Sequence, residues 1–135
     1  MVRLILTAIL LVMLTACGVS VPPPSSYLVQ KAIALQLNLT QQQMNHHLHS
    51  SPLRFEITQL QITDTEPLII DNLPTYHVRG TYNLTSRLSS RWVTQRQNPF
   101  DVYLQRQKEG KTWRLARPQV NSQDNGLFWL TYLIE

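Results

Sequence analysis

The sequence predicts an α+β domain in which an N-terminal helix packs on a curved antiparallel sheet of about four to six strands. Two observations carry this. Apolar residues recur at helical spacing from Leu28 to Leu39. From Leu53 onward they recur at every second position, in runs broken by turn residues.

Ser26 is placed as an N-cap, and Leu28, Ala32, Leu35 and Leu39 form a stripe that Val29, Ile33 and Leu37 widen. This spacing predicts a helix over 27–38. Thr40 and Gln43 have capping-box spacing, which predicts a second short turn of helix or a continuation toward His49. Ser50, Ser51 and Pro52 end it, because the residue before proline is biased away from helical backbone.

The first strand opens with Leu53, Phe55 and Ile57 alternating with Arg54, Glu56 and Thr58. The apolar phase then slips to Leu60 and Ile62, which predicts a bulge near Gln59. Asp64, Glu66 and Asp71 follow, and read as flanking an acidic loop. A second strand alternates Tyr76, Val78, Gly80, Tyr82 and Leu84 with His77, Arg79, Thr81 and Asn83. Gly80 lies on the apolar phase, where a missing side chain lets the strand bend around the helix.

Phe100, Val102, Leu104 and Arg106 alternate with Asp101, Tyr103 and Gln105, and Trp113, Leu115 and Arg117 with Arg114 and Ala116. A two-residue turn at Glu109-Gly110 pairs Leu104 with Leu115 and Arg106 with Trp113, placing the apolar residues on one face. A one-residue slip would mix the faces. Arg106 then lies over the Trp113 ring as a cation–π pair. Asp124-Asn125-Gly126 marks another turn, and the apolar run from Leu127 to Ile134 reads as a buried strand, with a helix as the alternative.

The chain before this domain has a different character. Arg3 is the only charged residue before Lys31, and an apolar stretch from Leu4 to Leu14 follows it. That is the layout of an export signal, shorter than the roughly 20 residues a membrane-spanning helix needs. Leu14-Thr15-Ala16-Cys17 resembles the lipobox of bacterial lipoproteins. The resemblance implies a signal peptide over 1–16, a diacylglyceryl group on the Cys17 sulfur, and cleavage just before that residue. Gly18, not the Asp that usually signals inner-membrane retention in that family, follows; this favours the outer membrane without deciding between the two. Residues 17–26 form a tether whose Pro22-Pro23-Pro24 favours an extended spacer of about 3 Å per residue, leaving 27–135 as a single domain. Cys17 is the chain's single cysteine, so no internal disulfide is available.

The 135-residue chain carries a formal net charge of +4. The excess sits late: Arg87, Arg91, Arg96, Arg106, Lys108, Lys111, Arg114 and Arg117 face only Asp101 and Glu109 within that stretch. Beside a membrane, such a surface suits anionic headgroups, a polyanion or an acidic protein. Nucleic acid is a poor partner for an exported chain. Arg87, Arg91, Trp92 and Arg114 are the candidate partner contacts, with Trp92 as an anchor.

The helix-then-hairpins order is similar to the cystatin-like and NTF2-like layouts, and Trp113-Arg114-Leu115 has the aromatic, basic, aliphatic pattern of the latter. The second resemblance implies a possible apolar cavity between helix and sheet, with Tyr76, Tyr82, Phe100 and Trp113 as its candidate lining.

Signals for chemistry are sparse. His46, His47 and His49 have helical spacing for sharing an ion but lack a nearby third ligand type. Asp64, Glu66 and Asp71 lack the spacing of a calcium loop. No nucleophile elbow, His-Glu-x-x-His or glycine-rich phosphate loop occurs. His77 falls on the polar phase and is expected to face solvent. The inhibitory Gln-x-Val-x-Gly of cystatins is missing, since Gln59-Leu60-Gln61-Ile62-Thr63 has no glycine. The expectation is therefore a membrane-anchored, non-enzymatic binding or assembly module of the cell envelope, with no metal and no cofactor. A small-ligand carrier or degenerate enzyme is the alternative.

Overall fold

The computed structural model describes residues 21–48, 54–88 and 90–135. Cys17, the signal segment, His49 and the Ser50-Ser51-Pro52 stop lie outside the described residues. Helix α1 runs over Ser26–Leu48. Its cap is Ser25, one residue earlier than the apolar stripe suggests: the Ser25 Oγ accepts the Leu28 N–H at 3.2 Å, and its carbonyl accepts the Val29 N–H at 3.0 Å. Thr40 is a helix-interior residue and not a second cap. Its hydroxyl donates to the Gln36 carbonyl at 2.9 Å, the back-bond that lets threonine sit inside a helix.

Five strands follow as a meander in the order β1-β2-β3-β4-β5, every neighbouring pair antiparallel. Strands β1 (Phe55–Ile70), β2 (Leu73–Leu88) and β3 (Arg91–Arg106) are 16 residues each, and β4 (Trp113–Val120) and β5 (Leu127–Leu133) are short. The α+β layout follows directly from the two periodicities of the sequence.

The bulge falls where the apolar phase slips. The β1–β2 register shifts between Thr58 and Gln61, and Gln59 has a φ of 53°. Beyond it the acidic segment differs from the expected loop. Asp64 and Glu66 are paired positions within β1, opposite Arg79 and His77, and only Asp71 belongs to a turn. Asp71 and Asn72 have φ of 51° and 63°, the two left-handed residues that a two-residue hairpin of matching twist requires. Asn and Asp tolerate that backbone better than other side-chain-bearing residues.

Strands β3 and β4 pair Leu104 with Leu115 and Arg106 with Trp113, as the face pattern demands. The turn is wider than the expected Glu109-Gly110 pair. Gln107 and Thr112 are hydrogen-bonded, and the Gly110 N–H closes a turn onto the Gln107 carbonyl at 2.9 Å. Gly110, at φ 74°, supplies the left-handed residue there. The Arg106 guanidinium sits 5.9 Å from the Trp113 ring and donates to the Gly110 carbonyl at 3.1 and 2.7 Å.

The core lies between α1 and one sheet face. Val29, Ala32 and Ile33 of the helix meet Ile57, Val78, Tyr82, Phe100, Val102, Leu104 and Leu115. β3 and β4 pair only from Tyr103·Ala116 to Arg106·Trp113 and then part. Pro99 and Pro118, which cannot donate to a ladder, lie beyond that point. β5 is a strand, which settles the strand-or-helix alternative, but it is the sheet's edge and not a buried strand.

Candidate functional site

The four candidate cavity residues form two separate pairs. Tyr82 and Phe100 are buried, with ring centroids 6.2 Å apart. Tyr76 and Trp113 pair at 6.3 Å near the opposite end of the sheet, about 20 Å away along β2. Only the first pair lines a cleft between helix and sheet, an opening of about 540 Å³ with Ile33, Leu37, Gly80 and Val102 on its walls. Burial raises the Tyr82 phenol above its ordinary value, keeping it neutral at physiological pH.

The four candidate partner contacts also divide. Arg87 and Trp92 are cross-strand partners, with the guanidinium 5.9 Å from the indole ring, and Arg91 lies beside them at the β2–β3 end. Trp92 is 55% exposed. Arg114 pairs with Gln105 and Leu133, and the distance along β3 from Arg91 to Gln105 is about 45 Å. Its Nη1 reaches the Thr131 hydroxyl at 3.5 Å. The long strands therefore carry the basic residues to opposite ends of the domain.

His77 is 6% exposed and not solvent-facing as expected. It does lie on the face away from the helix, but Tyr103 across the strand pair stacks on it at 4.1 Å and 9°, and Trp129 of β5 meets Tyr103 edge-on at 4.9 Å. Nε2 hydrogen-bonds the Asp101 carboxylate, and Nδ1 lies 3.1 Å from an Arg79 nitrogen. Arg79 also sits 3.6 Å from Asp64 and 3.8 Å from Asp101. In the neutral ring this places the proton on Nε2 as donor and leaves Nδ1 as acceptor, so both nitrogens are engaged. The arrangement links β1, β2 and β3 through their side chains. Tyr103 carried no signal alone; only the strand register reveals it as the lid on His77.

Among the described residues no three His, Cys, Asp or Glu side chains converge on a common point. His46 is an exposed residue in the last turns of α1. One buried donor is unsatisfied: Arg117 Nη1 has no hydrogen-bond partner among the described residues, at the place where β3 and β4 part.

The largest departure from an ordinary surface is β5. Leu127, Phe128, Leu130 and Leu133 are 41–63% exposed, and the strand LFWLTYL contains no charge, proline or glycine. Its outer edge has no partner strand among the described residues. The opposite edge, β1, is protected: it bears Glu56, Asp64 and Glu66 and two register irregularities, devices that discourage pairing. The sequence shows the β5 apolar run plainly but not that the sheet ends there.

No helix among the described residues is long and apolar enough to cross a membrane. No protein-family model, curated protein or solved structure matches this chain.

Proposed function

We propose that this chain is a lipid-anchored, non-enzymatic binding module of the bacterial cell envelope, which engages its partner by strand addition at β5. The observation that carries this reading is the asymmetry between the two sheet edges. An exposed edge strand offers a row of backbone donors and acceptors to any extended segment, and proteins ordinarily blunt such edges. Here β1 is blunted and β5 is left apolar and bare. The lipobox pattern at Leu14-Thr15-Ala16-Cys17 and the proline tether support an anchor. Arg87, Arg91 and Trp92 form a second, basic contact at the far tip.

A photo-crosslinking residue at Leu130, installed in the protein in its native membrane, should give a discrete adduct that Phe128→Lys abolishes. The same residue at Thr65 on β1 should give none. Adducts of equal strength from both edges, or none from β5, would refute strand addition.

A second reading has its own support. The cleft lined by Ile33, Leu37, Tyr82 and Phe100, with Gln36, Thr63, Arg79 and Asp101 also on its walls, suits an amphipathic small ligand, as in a carrier of the NTF2-like layout that the helix-and-meander order resembles. Saturable binding of a fluorescent fatty acid, blocked by Leu37→Trp, would favour it; no saturation would remove it.

A further inference from the structure

The anchor and the fold together orient the domain. The Tyr76 hydroxyl donates to the Val21 carbonyl, so the tether is held against the turn end of the β1–β2 hairpin. There Val21, Pro67, Leu68, Ile69, Pro74 and Tyr76 wall an apolar hollow of about 600 Å³. Ile69, 74% exposed, is the most exposed large hydrophobic side chain among the described residues, and it continues the apolar surface of that hollow.

Cys17 precedes Val21 by four residues, at most about 14 Å of extended chain. We propose that this end of the domain lies on the bilayer that holds Cys17, with Ile69 at the lipid boundary. The inference rests on the lipid-anchor reading above. It adds a fixed contact to what would otherwise be a loose tether.

Three features point to lipid as the occupant of the hollow. The chain that enters it comes directly from the anchor. Its walls are apolar apart from Asn72, Thr75 and the tyrosine hydroxyl, the last of which is occupied by Val21. The β3–β4 loop projects at the same end, because Tyr76 pairs with Leu104, and it presents exposed Lys108, Glu109 and Lys111, charges of both signs that suit a zwitterionic headgroup layer. Glu66 and Asp71 on the hairpin and Glu109 in the loop outnumber those two lysines, so the contact rests on the apolar residues and should form on neutral phosphatidylcholine. With β2 standing away from the surface, Arg87 near its far end and Trp92 opposite it on β3 lie about 45 Å outward.

The test uses the full-length protein processed in a bacterium and reconstituted in phosphatidylcholine vesicles. Because lipidation consumes the single native thiol, Ile69→Cys and Arg91→Cys each create one site for a nitroxide spin label. The label at position 69 should lose collisions with a water-soluble nickel complex and gain them with membrane-dissolved oxygen, while that at 91 collides freely with nickel. An anchored protein whose two positions are equally open to nickel overturns the orientation alone. Position 69 shielded from both reagents would assign the hollow to protein and also overturns it. A protein whose Cys17 remains free to label and which does not float with vesicles overturns the anchor and the orientation together.

Discussion

Gly80→Ala is the sharpest single perturbation of this fold. A Cβ at position 80 would lie 1.9 Å from the Gln61 carbonyl oxygen and 2.8 Å from Phe100 Cε1. A carbon and a carbonyl oxygen approach to about 3.3 Å at closest, so β1 must retreat by about 1.4 Å next to a register already interrupted at Thr58/Gln61 and Ile62/Asp64. Overpacking of this kind costs about 1–3 kcal/mol, and each ladder hydrogen bond lost adds about 1 kcal/mol. Replacing a strand glycine returns roughly 0.5–1 kcal/mol. The net is a loss of about 2–3 kcal/mol, or a melting temperature lower by about 10 °C for a domain of this size. Thermal unfolding of the full chain in detergent, followed by circular dichroism, reads this directly. Gly126→Ala is the control, since its Cβ meets only the exposed Asp124 carboxylate at 3.0 Å, the end of a side chain that can shift at the expense of one exposed hydrogen bond to the Gly126 N–H. If Gly80→Ala melted as high as the control, the close approach of β1 over β2 would be refuted.

Leu104→Ala empties a fully buried position between α1 and the sheet, and should cost about 2–5 kcal/mol in denaturant unfolding with the slope unchanged. Arg117→Met removes a buried donor that has no partner among the described residues; chemical denaturation should show stability unchanged or raised by up to about 1–3 kcal/mol, and a clear loss would mean that the guanidinium has a partner. The Glu109 carboxylate, bonded by the Thr112 hydroxyl and by backbone and attracted by Arg114, titrates below the ordinary glutamate range. A carboxyl lowered in the folded state stabilises at pH above its unfolded value and loses that contribution as pH falls through its folded value. A carbon-detected NMR titration should show this, and Thr112→Val should move Glu109 back up.

Much of this architecture is legible in the residues because burial imposes a period. Val29, Ala32 and Ile33 recur as a helix must, and Val78, Gly80 and Tyr82 as a strand must. The slip from Ile57 to Leu60 marks the bulge, since only one extra residue restores the buried face. What stays hidden depends on topology. Residues 85–88 and 91–99 form the outer halves of β2 and β3 beyond most of the core, so they alternate no apolar residues and leave no periodic trace. The run from Leu127 to Ile134 resembles a buried strand because burial depends on whether another strand lies beyond it, which no local pattern records. His77 looks like a surface residue until the register places Tyr103 across from it. The candidate contacts Arg87 and Arg114 are both late basic residues but lie at opposite ends of the sheet, Arg87 near the end of β2 and Arg114 on the short β4, opposite Gln105 at the far end of β3.

The reading of this domain as a module working at a membrane depends first on the chemistry of Cys17. Intact-mass spectrometry of the protein extracted from bacterial membranes tests it most directly. A lipid-anchored protein gives a chain that begins at Cys17 and carries a diacylglyceryl group, with Cys17→Ala recovered in the soluble fraction. A mature chain that begins elsewhere, or one whose Cys17 remains an unmodified thiol, would contradict it.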